Sequence, residues 1–472
     1  MPNYENPANK LMVFANSVRD LIFRSPTLTT RIEIPAGKGE ICLPIDDPKV
    51  KEWLEAKFKS EEGRHLTPDE YGKLLNNLKN PHETETYDEY VGLRTAKCGD
   101  EYFIDPAWGG RWVIAFSKGD WSIKKSADVK FENPPGMLEL PEPKRGGDHQ
   151  LLWQFVHLVP EENRLMFLNW MLCSMIKAEV YQIAVLRGQQ GSGKSTSLRV
   201  AKALIDPHDP YKNDTRKIEN NIWKHAQSHW LLFYDNISKV SDGLSDQFCL
   251  MSEGKGTACL MNEDDGIANF TDAKRPIAIA SIVNVLTRGD VLDRSIILET
   301  NQITKEKRQD PEELLHKFSD KAGEILGGLY DLLAQVLAVR YEIRSKVWPR
   351  MAGVARMGMA LERILGLPNG AYLEAYDSNH QAGAIVSVEA SPILLGLQKL
   401  VSKRGMWQGP ATPLLKALNE IVLQKNRAPN WPKHANQLSG ELHRLETNSG
   451  AGKLRISKKR TGGLVTWKIE AL

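Results

Sequence analysis

The residues best suited to chemistry lie between 188 and 196. In Gly188-Gln-Gln-Gly191-Ser192-Gly193-Lys194-Ser195-Thr196, three glycines, one lysine and adjacent hydroxyls share nine positions. Glycines let successive backbone N–H groups turn inward around an anion. The lysine reaches outer phosphate oxygens, and a hydroxyl at a helix start is a hard ligand for a divalent cation. The spacing G-x-x-x-x-G-K-[ST] predicts a phosphate-binding loop for a nucleoside triphosphate, with ATP and Mg²⁺ as the expected cofactors. Gly188, Gly191, Ser192, Gly193, Lys194, Ser195 and Thr196 would contact the nucleotide.

Such a loop needs a strand before it, a helix after it and a carboxylate on a neighbouring strand. "YQIAVLR" and "STSLRVAKALI" supply the first two, in that order. "HWLLFYDN" supplies the third: Leu231–Tyr234 reads as a buried strand ending in Asp235, which with Ser195 forms the expected metal-holding pair. Asn236 follows, where a glutamate would serve as base. An amide orients water but does not take its proton. Either hydrolysis is slow, or another carboxylate such as Glu253 or Glu219 acts. "PIAIASIV" reads as a further strand, with Ser281 and Asn284 at its end to sense the γ-phosphate. Beyond it stand Arg288 and Arg294. Either is a surface ion pair, or Arg294 is a finger that stabilises charge on a neighbouring subunit's phosphoryl group.

The elements that carry these residues fall into five stretches. Residues 1–80 read as helical, with start signals at "DDPKV" and "TPDEY". Residues 85–147 begin as short alternating aromatic segments, a β-meander, and end in "ENPPGMLELPEPKRGG", a proline- and glycine-rich linker. Residues 148–300 alternate helix and apolar strand, which predicts a parallel α/β sheet. Residues 301–385 are helical. Residues 391–472 hold 14 Lys or Arg against four Glu and no Asp, so a chain of net charge +3 carries +10 in its last 82 residues and −7 elsewhere. A basic module on an acidic body predicts a polyanionic partner. Its segments read as three helices and a hairpin turning at Gly462-Gly463, hence a winged helix. Lys433, His434, Asn436 and Gln437 would enter a DNA groove, while Lys458, Lys459 and Arg460 would hold phosphates.

The 472-residue chain is 41% apolar and 26% charged, and its five cysteines are scattered without a C-x-x-C pair. That composition argues against a disulfide framework or a zinc site and fits a cytoplasmic protein. No uninterrupted apolar run reaches the roughly 18 residues of a membrane span.

"VKEWLEAKF", "FENPPGMLELPEPKRGG", "LRGQQGSGKST", "FYDNISKVSDGLSDQFCLMSEGKG", "RPIAIASIVNVLTRGDVLDRSI" and "WPRMAGVARMG" together resemble the ATP-binding replication proteins of prophages, genomic islands and cassette chromosomes. These are related to MCM-like and superfamily 3 AAA+ helicases. The resemblance spans residues 48–472. It implies an α/β P-loop AAA+ ATPase core, a helical subdomain and a ring, expected to be a hexamer, that acts on DNA beside other replication proteins. It carries ATP-site roles onto Gly188, Lys194, Ser195, Asp235 and Arg294, and makes Arg350 and Arg356 candidates for a second nucleotide-sensing arginine. The region of the related motors' DNA-contacting hairpin departs from the pattern. Its turn here is Glu263-Asp264-Asp265-Gly266, which would repel phosphate; Lys255, Lys274 and Arg275 flank it. Two readings follow: a ring ATPase that unwinds or remodels DNA, or an ATP-dependent switch (loader, regulator or defence protein) with little motor activity. The chain length and basic tail argue against a small-molecule kinase.

Overall fold

A computed structural model of the chain describes residues 7–24, 30–36, 39–79, 90–110, 112–117, 119–125, 129–160, 162–254, 257–260, 268–271, 274–304, 306, 308–389, 391, 393–427, 431–447, 454–461 and 464–472. The chain begins with α1 (Pro7–Arg19), the antiparallel strands β1 (Ile22–Arg24), β2 (Thr30–Ala36) and β3 (Gly39–Pro44), then α2 (Pro48–Glu62) and α3 (Pro68–Lys79). The expectation of helix alone over 1–80 is corrected by these strands. In "TRIEIPA" the alternation of Ile32 and Ile34 is only seven residues long, and both side chains are buried against Phe14, Leu54 and Phe58 of the helices. Asp47 caps α2 by accepting from Lys49 N at 2.8 Å, with Pro48 next in the chain and Gly63 closing the helix in the left-handed conformation.

Next come β4 (Tyr90–Gly92), β5 (Thr95–Cys98), β6 (Glu101–Ile104), β7 (Trp112–Ser117), β8 (Asp120–Lys125) and β9 (Val129–Phe131). Strands β5 to β8 form an antiparallel meander in sequence order. The stretch 132–147, read as a linker, is a packed strap. Leu140 is buried, and Lys144 N donates to Gly323 O at 2.9 Å. A Cβ at Gly327 would stand 1.7 Å from Lys144 O, so the strap lies directly on a glycine face of a later helix.

The central unit contains α4 (Glu162–Ser174), β10 (Ile183–Arg187), α5 (Lys194–Ile205), α6 (Ile218–Ser228), β11 (Leu232–Asp235), α7 (Asp242–Glu253), β12 (Thr257–Leu260), β13 (Ala268–Thr271), β14 (Ile277–Ser281), α8 (Gly289–Leu292) and β15 (Ser295–Glu299). A four-stranded parallel sheet runs β11-β14-β10-β15. Its strands are apolar on both faces because helices cover both. Ala184, Leu186 and Leu198 join one core; Ile183, Val185 and Phe248 join the other. β12 and β13 pair as an antiparallel hairpin, and its turn, Glu263–Gly266, lies outside the described residues together with Lys255.

Two long helices and a shorter one follow: α9 (Pro311–Val339), α10 (Ala352–Ile364) and α11 (Ala371–Glu389). Residues 311–342 are long and apolar enough to cross a membrane by length and composition, yet Ile325, Leu326, Leu329, Tyr330 and Leu333 are buried in the main core. The meander docks on α9 through Trp121, whose Nε1 donates to Asp331 Oδ1 at 2.6 Å, and through Phe116 packed edge-on to Tyr330. The chain ends with α12 (Leu394–Arg404), β16 (Met406–Gly409), α13 (Ala411–Ile421), α14 (Ala435–Thr447), β17 (Leu454–Thr461) and β18 (Leu464–Ala471), which enclose a core of their own. The three-stranded sheet is ordered β16-β18-β17, so a short strand after α12 joins the expected hairpin. Gly462 and Gly463 lie outside the described residues.

Candidate nucleotide site

The Gly-rich loop leaves the end of β10 and enters α5 at Gly193. Gly191 and Gly193 have φ of +78° and +81°, values an L side chain rarely adopts. Gly193 offers no side-chain cap, so the first amides of α5 remain for an anion. Lys194 Nζ donates to Gly188 O and Gln189 O, both at 2.8 Å, and to Ser192 Oγ at 3.3 Å. The ammonium therefore sits inside the loop it is expected to serve. Desolvation lowers its pKa, and the Asp235 charge counters that.

Ser195 Oγ donates to Asp235 Oδ1 at 2.8 Å. A hydroxyl on the first turn of α5 and a carboxylate at the end of β11 thus meet, although 40 residues separate them. Both are hard oxygen donors of the kind Mg²⁺ takes, which fits the expected ion. Lys212 Nζ lies 3.3 Å from Asp235 Oδ2, a partner the sequence did not single out. Asn236 is exposed with φ +60°, a left-handed position that asparagine tolerates. Asn284 Oδ1 accepts from Leu286 N at 3.2 Å, while its buried Nδ2 has no hydrogen-bond partner among the described residues. A buried amide donor without an acceptor just beyond the end of β14 suits a phosphate oxygen or a water. Ser281 is turned away, its Oγ donating to Val283 O. Thr196 is half-buried beside Ser195.

Thr300 was not anticipated. It is 4% exposed, and its Oγ1 lies 2.8 Å from Ser192 Oγ and 3.1 Å from Arg187 O. A Cβ on Gly188 would meet Thr300 Oγ1 at 2.2 Å. The residue directly after β15 therefore sets the height of the loop. The only sequence signal was its position after an apolar strand.

The arginines are engaged within the chain. Arg294 O accepts from Ile183 N, so Arg294 lies where the parallel strands begin, whereas the Gly-rich loop lies where they end. The residue is 5% exposed; Nε donates to Glu253 Oε1 at 2.7 Å and a terminal nitrogen pairs with the same carboxylate. Within the single chain the Arg294 guanidinium is therefore held in an internal ion pair. Arg288 pairs with Asp246 at 2.7 Å and Asp290 at 2.5 Å. Burial would lower its pKa, but these carboxylates hold it above the usual range. Arg350 lies 3.7 Å from Glu253 and 3.6 Å from Asp293, and Arg356 stacks over Trp348, so neither reaches the loop of its own chain as a second sensor. Glu253, tied to Arg294, is at the wrong end of the sheet to replace Asn236 as base. Glu219 accepts from Ser241 Oγ at 2.6 Å, in the segment that follows Asn236.

In the basic module, Lys433, His434, Asn436 and Gln437 cluster at the start of α14, all exposed. Gln437 Oε1 accepts from Lys433 N at 2.8 Å, which makes it a helix cap and removes that oxygen from a role in reading bases. Lys458, Lys459 and Arg460 are exposed on β17. Lys458 is tied back to α14, 3.4 Å from Glu446 Oε2 and 3.0 Å from His443 Nδ1.

Residues 150–380 match the family described as "Actinomycete integrative conjugative element replication protein", and residues 395–469 match the C-terminal domain of the same replication protein. No curated protein matches the sequence. Among solved structures, the apo NrS-1 C-terminal region shares 9% identity, covering 99% of this chain and all of that one at a TM-score of 0.41. A JCV helicase bound to a small molecule shares 13% identity over 48% of this chain and 62% of that one, with a TM-score of 0.25. Cdc6p from Pyrobaculum aerophilum shares 11% identity, 66% and 89% coverage and a TM-score of 0.18. Two separate stretches of this chain, in order, thus match a replication protein of a mobile genetic element.

Proposed function

We propose that the chain is an AAA+ P-loop ATPase that couples ATP hydrolysis to DNA unwinding or remodelling during replication of a mobile element in the cytoplasm. The observation that carries this reading is the meeting of Ser195 Oγ and Asp235 Oδ1 at 2.8 Å beside Lys194. Ser195 and Asp235 would hold Mg²⁺, which when bound neutralises phosphate oxygens. The amides of the loop orient the polyphosphate, Lys194 leaves its own carbonyls for the outer phosphates, and Asn284 Nδ2 supplies the remaining donor. The order helix, strand, two helices, then a strand pair at the end of the chain supports a winged helix. DNA would meet Lys433, His434 and Asn436, with Lys459 and Arg460 on the wing. A ring, as a hexamer, would bring another protomer's arginine to each nucleotide. Arg294 would then exchange Glu253 for a phosphoryl oxygen.

Asn236 favours a second reading, a nucleotide-dependent switch with little turnover, because an exposed amide is no base. DNA-stimulated ATP turnover tests both, with Lys194→Ala as control. Strong stimulation that the variant loses, by about a hundredfold or more, supports the ATPase. DNA binding without turnover in the parent protein supports the switch and overturns the motor.

A further inference from the structure

The segment between α9 and α10 opens with a 3-10 turn at Arg340–Glu342 and is cationic and largely exposed. Residues 340–356 contain four Arg, one Lys and one acidic residue, Glu342, which Arg363 already neutralises at 2.9 Å. Tyr341 is 52% exposed and Val347 77%. Arg344 and Lys346 are exposed, and among the described residues neither lies within ion-pair distance of a carboxylate. The root of the segment is fixed. Arg340 is buried, donates to Tyr102 Oη at 3.0 Å and stacks over Tyr102 and Tyr341. Arg356 stacks over Trp348 at 4.9 Å. Guanidinium planes thus hold two aromatic rings, Tyr341 and Trp348, in place among exposed cations.

The same segment adjoins the base of the β12–β13 hairpin. Arg350 approaches Glu253, the last residue of α7 before the hairpin. Glu179 O accepts from Lys274 Nζ just after the hairpin, and a Cβ on Gly353 would lie 3.4 Å from Glu179 Oε2. The hairpin turn itself offers only carboxylates by sequence, Glu263, Asp264 and Asp265.

We infer that the 341–350 segment is a contact site for single-stranded DNA, beside the β12–β13 strand pair. This rests on the proposed action on DNA and names the surface that performs it. Arg344 and Lys346 meet the backbone, and Tyr341 offers a ring for an unstacked base. A duplex hides its base faces, so exposed rings among cations favour a single strand over a double one. The basic module at the end of the chain is a separate surface and serves duplex contacts.

The test uses the full chain with a non-hydrolysable ATP analogue and labelled oligo-dT of about 30 nucleotides, beside a duplex of the same length, over a salt series. The triple variant Tyr341→Ala, Arg344→Glu, Lys346→Glu changes only exposed side chains. A thermal melt matching the parent's verifies its fold. The expected result is an oligo-dT affinity about tenfold or more weaker and a salt slope shallower by about 0.7 for each phosphate that the variant leaves unneutralised. Duplex affinity and DNA-independent ATP turnover stay unchanged, and Tyr341→Phe with Lys346→Arg retains oligo-dT binding. An oligo-dT affinity within about twofold of the parent's overturns the assignment and leaves an acidic protein surface as the partner of this patch, without touching the ATPase reading. A parent protein that hydrolyses ATP yet binds no oligo-dT would overturn the DNA motor itself.

Discussion

Lys194 donates three hydrogen bonds to its own loop, and this is how a compact cation waits in a site built for anions. The loop carbonyls satisfy the ammonium; in the proposed nucleotide-bound state phosphate oxygens, carrying full charge, would replace them. Thr300 braces that loop, because its hydroxyl bridges Ser192 and Arg187 O. Thr300→Val keeps the shape and removes the bridge. Its KM for ATP should rise about three- to tenfold with kcat little changed, as expected for the loss of about 1 kcal/mol of hydrogen bonding, and Thr300→Ser should restore it; steady-state kinetics decides. On β17, Lys459 and Arg460 are exposed, whereas Lys458 is engaged by Glu446. Lys459→Ala with Arg460→Ala should flatten the duplex salt slope by about 1.8, and Lys458→Ala by less, as read by anisotropy.

At the scale of elements, both edges of the parallel sheet are closed by asparagine. Asn213 N donates to Phe233 O, and its Oδ1 accepts from Phe233 N, both at 2.8 Å, along β11. On the other edge Asn379 of α11 accepts from Ile297 N at 3.0 Å and donates to Ile297 O at 2.7 Å. Each amide plays the part of a missing strand, which blunts an edge open to pairing with other chains. The Asn379 pair also connects α11 to β15, and so to Thr300. Asn379→Ala should lower unfolding free energy by about 1–3 kcal/mol, since it leaves a buried peptide unpaired; chemical denaturation measures it. No period or spacing in α11 announces this role, because a helix asparagine reads as neutral until the strand beside it is known.

Across the whole molecule, one buried ionic cluster joins the meander to the sheet. Arg94 Nε donates to Asp206 Oδ1 at 3.1 Å, and Lys202 Nζ to Asp206 Oδ2 at 2.6 Å, with all three side chains buried. Burial alone would raise the Asp206 pKa, but Lys202 and Arg94 hold it well below the ordinary carboxylate range. Asp206→Ala strands two buried cations and should cost about 3–5 kcal/mol, visible as a lower melting temperature. Beside this cluster His208 and His229 stack at 3.8 Å. Burial, then the Lys202 charge, lowers both pKa values, that of His229 to about 3. A depressed histidine pKa adds stability that is complete above the unfolded value of about 6.5 and lost as pH falls toward the folded one. Asp206 adds stability that is lost only below about pH 4, so a fall in melting temperature between about pH 7 and pH 5 belongs to the histidines of lowered pKa, this pair together with His149, His157, His225 and His380. His229→Phe, which keeps the stack, should make that fall smaller in a scanning-calorimetry series.

The linear sequence determined the chemistry of the loop. Its residue types need only local spacing and a strand-to-helix turn, so Gly188 to Ser195 could be read without knowing which segments touch, as could Asp235 at the end of an apolar run and the basic charge of the last 82 residues. Tertiary structure alone decided which of those groups are engaged. Arg294 is inward because Glu253, 41 residues away, reaches it, and Gln437 is a cap because α14 begins two residues earlier. Residues 132–147 form a strap because α9 presents glycines to it. Such partners are set by packing between distant segments, and pairing energies between distant segments leave no periodicity in a chain.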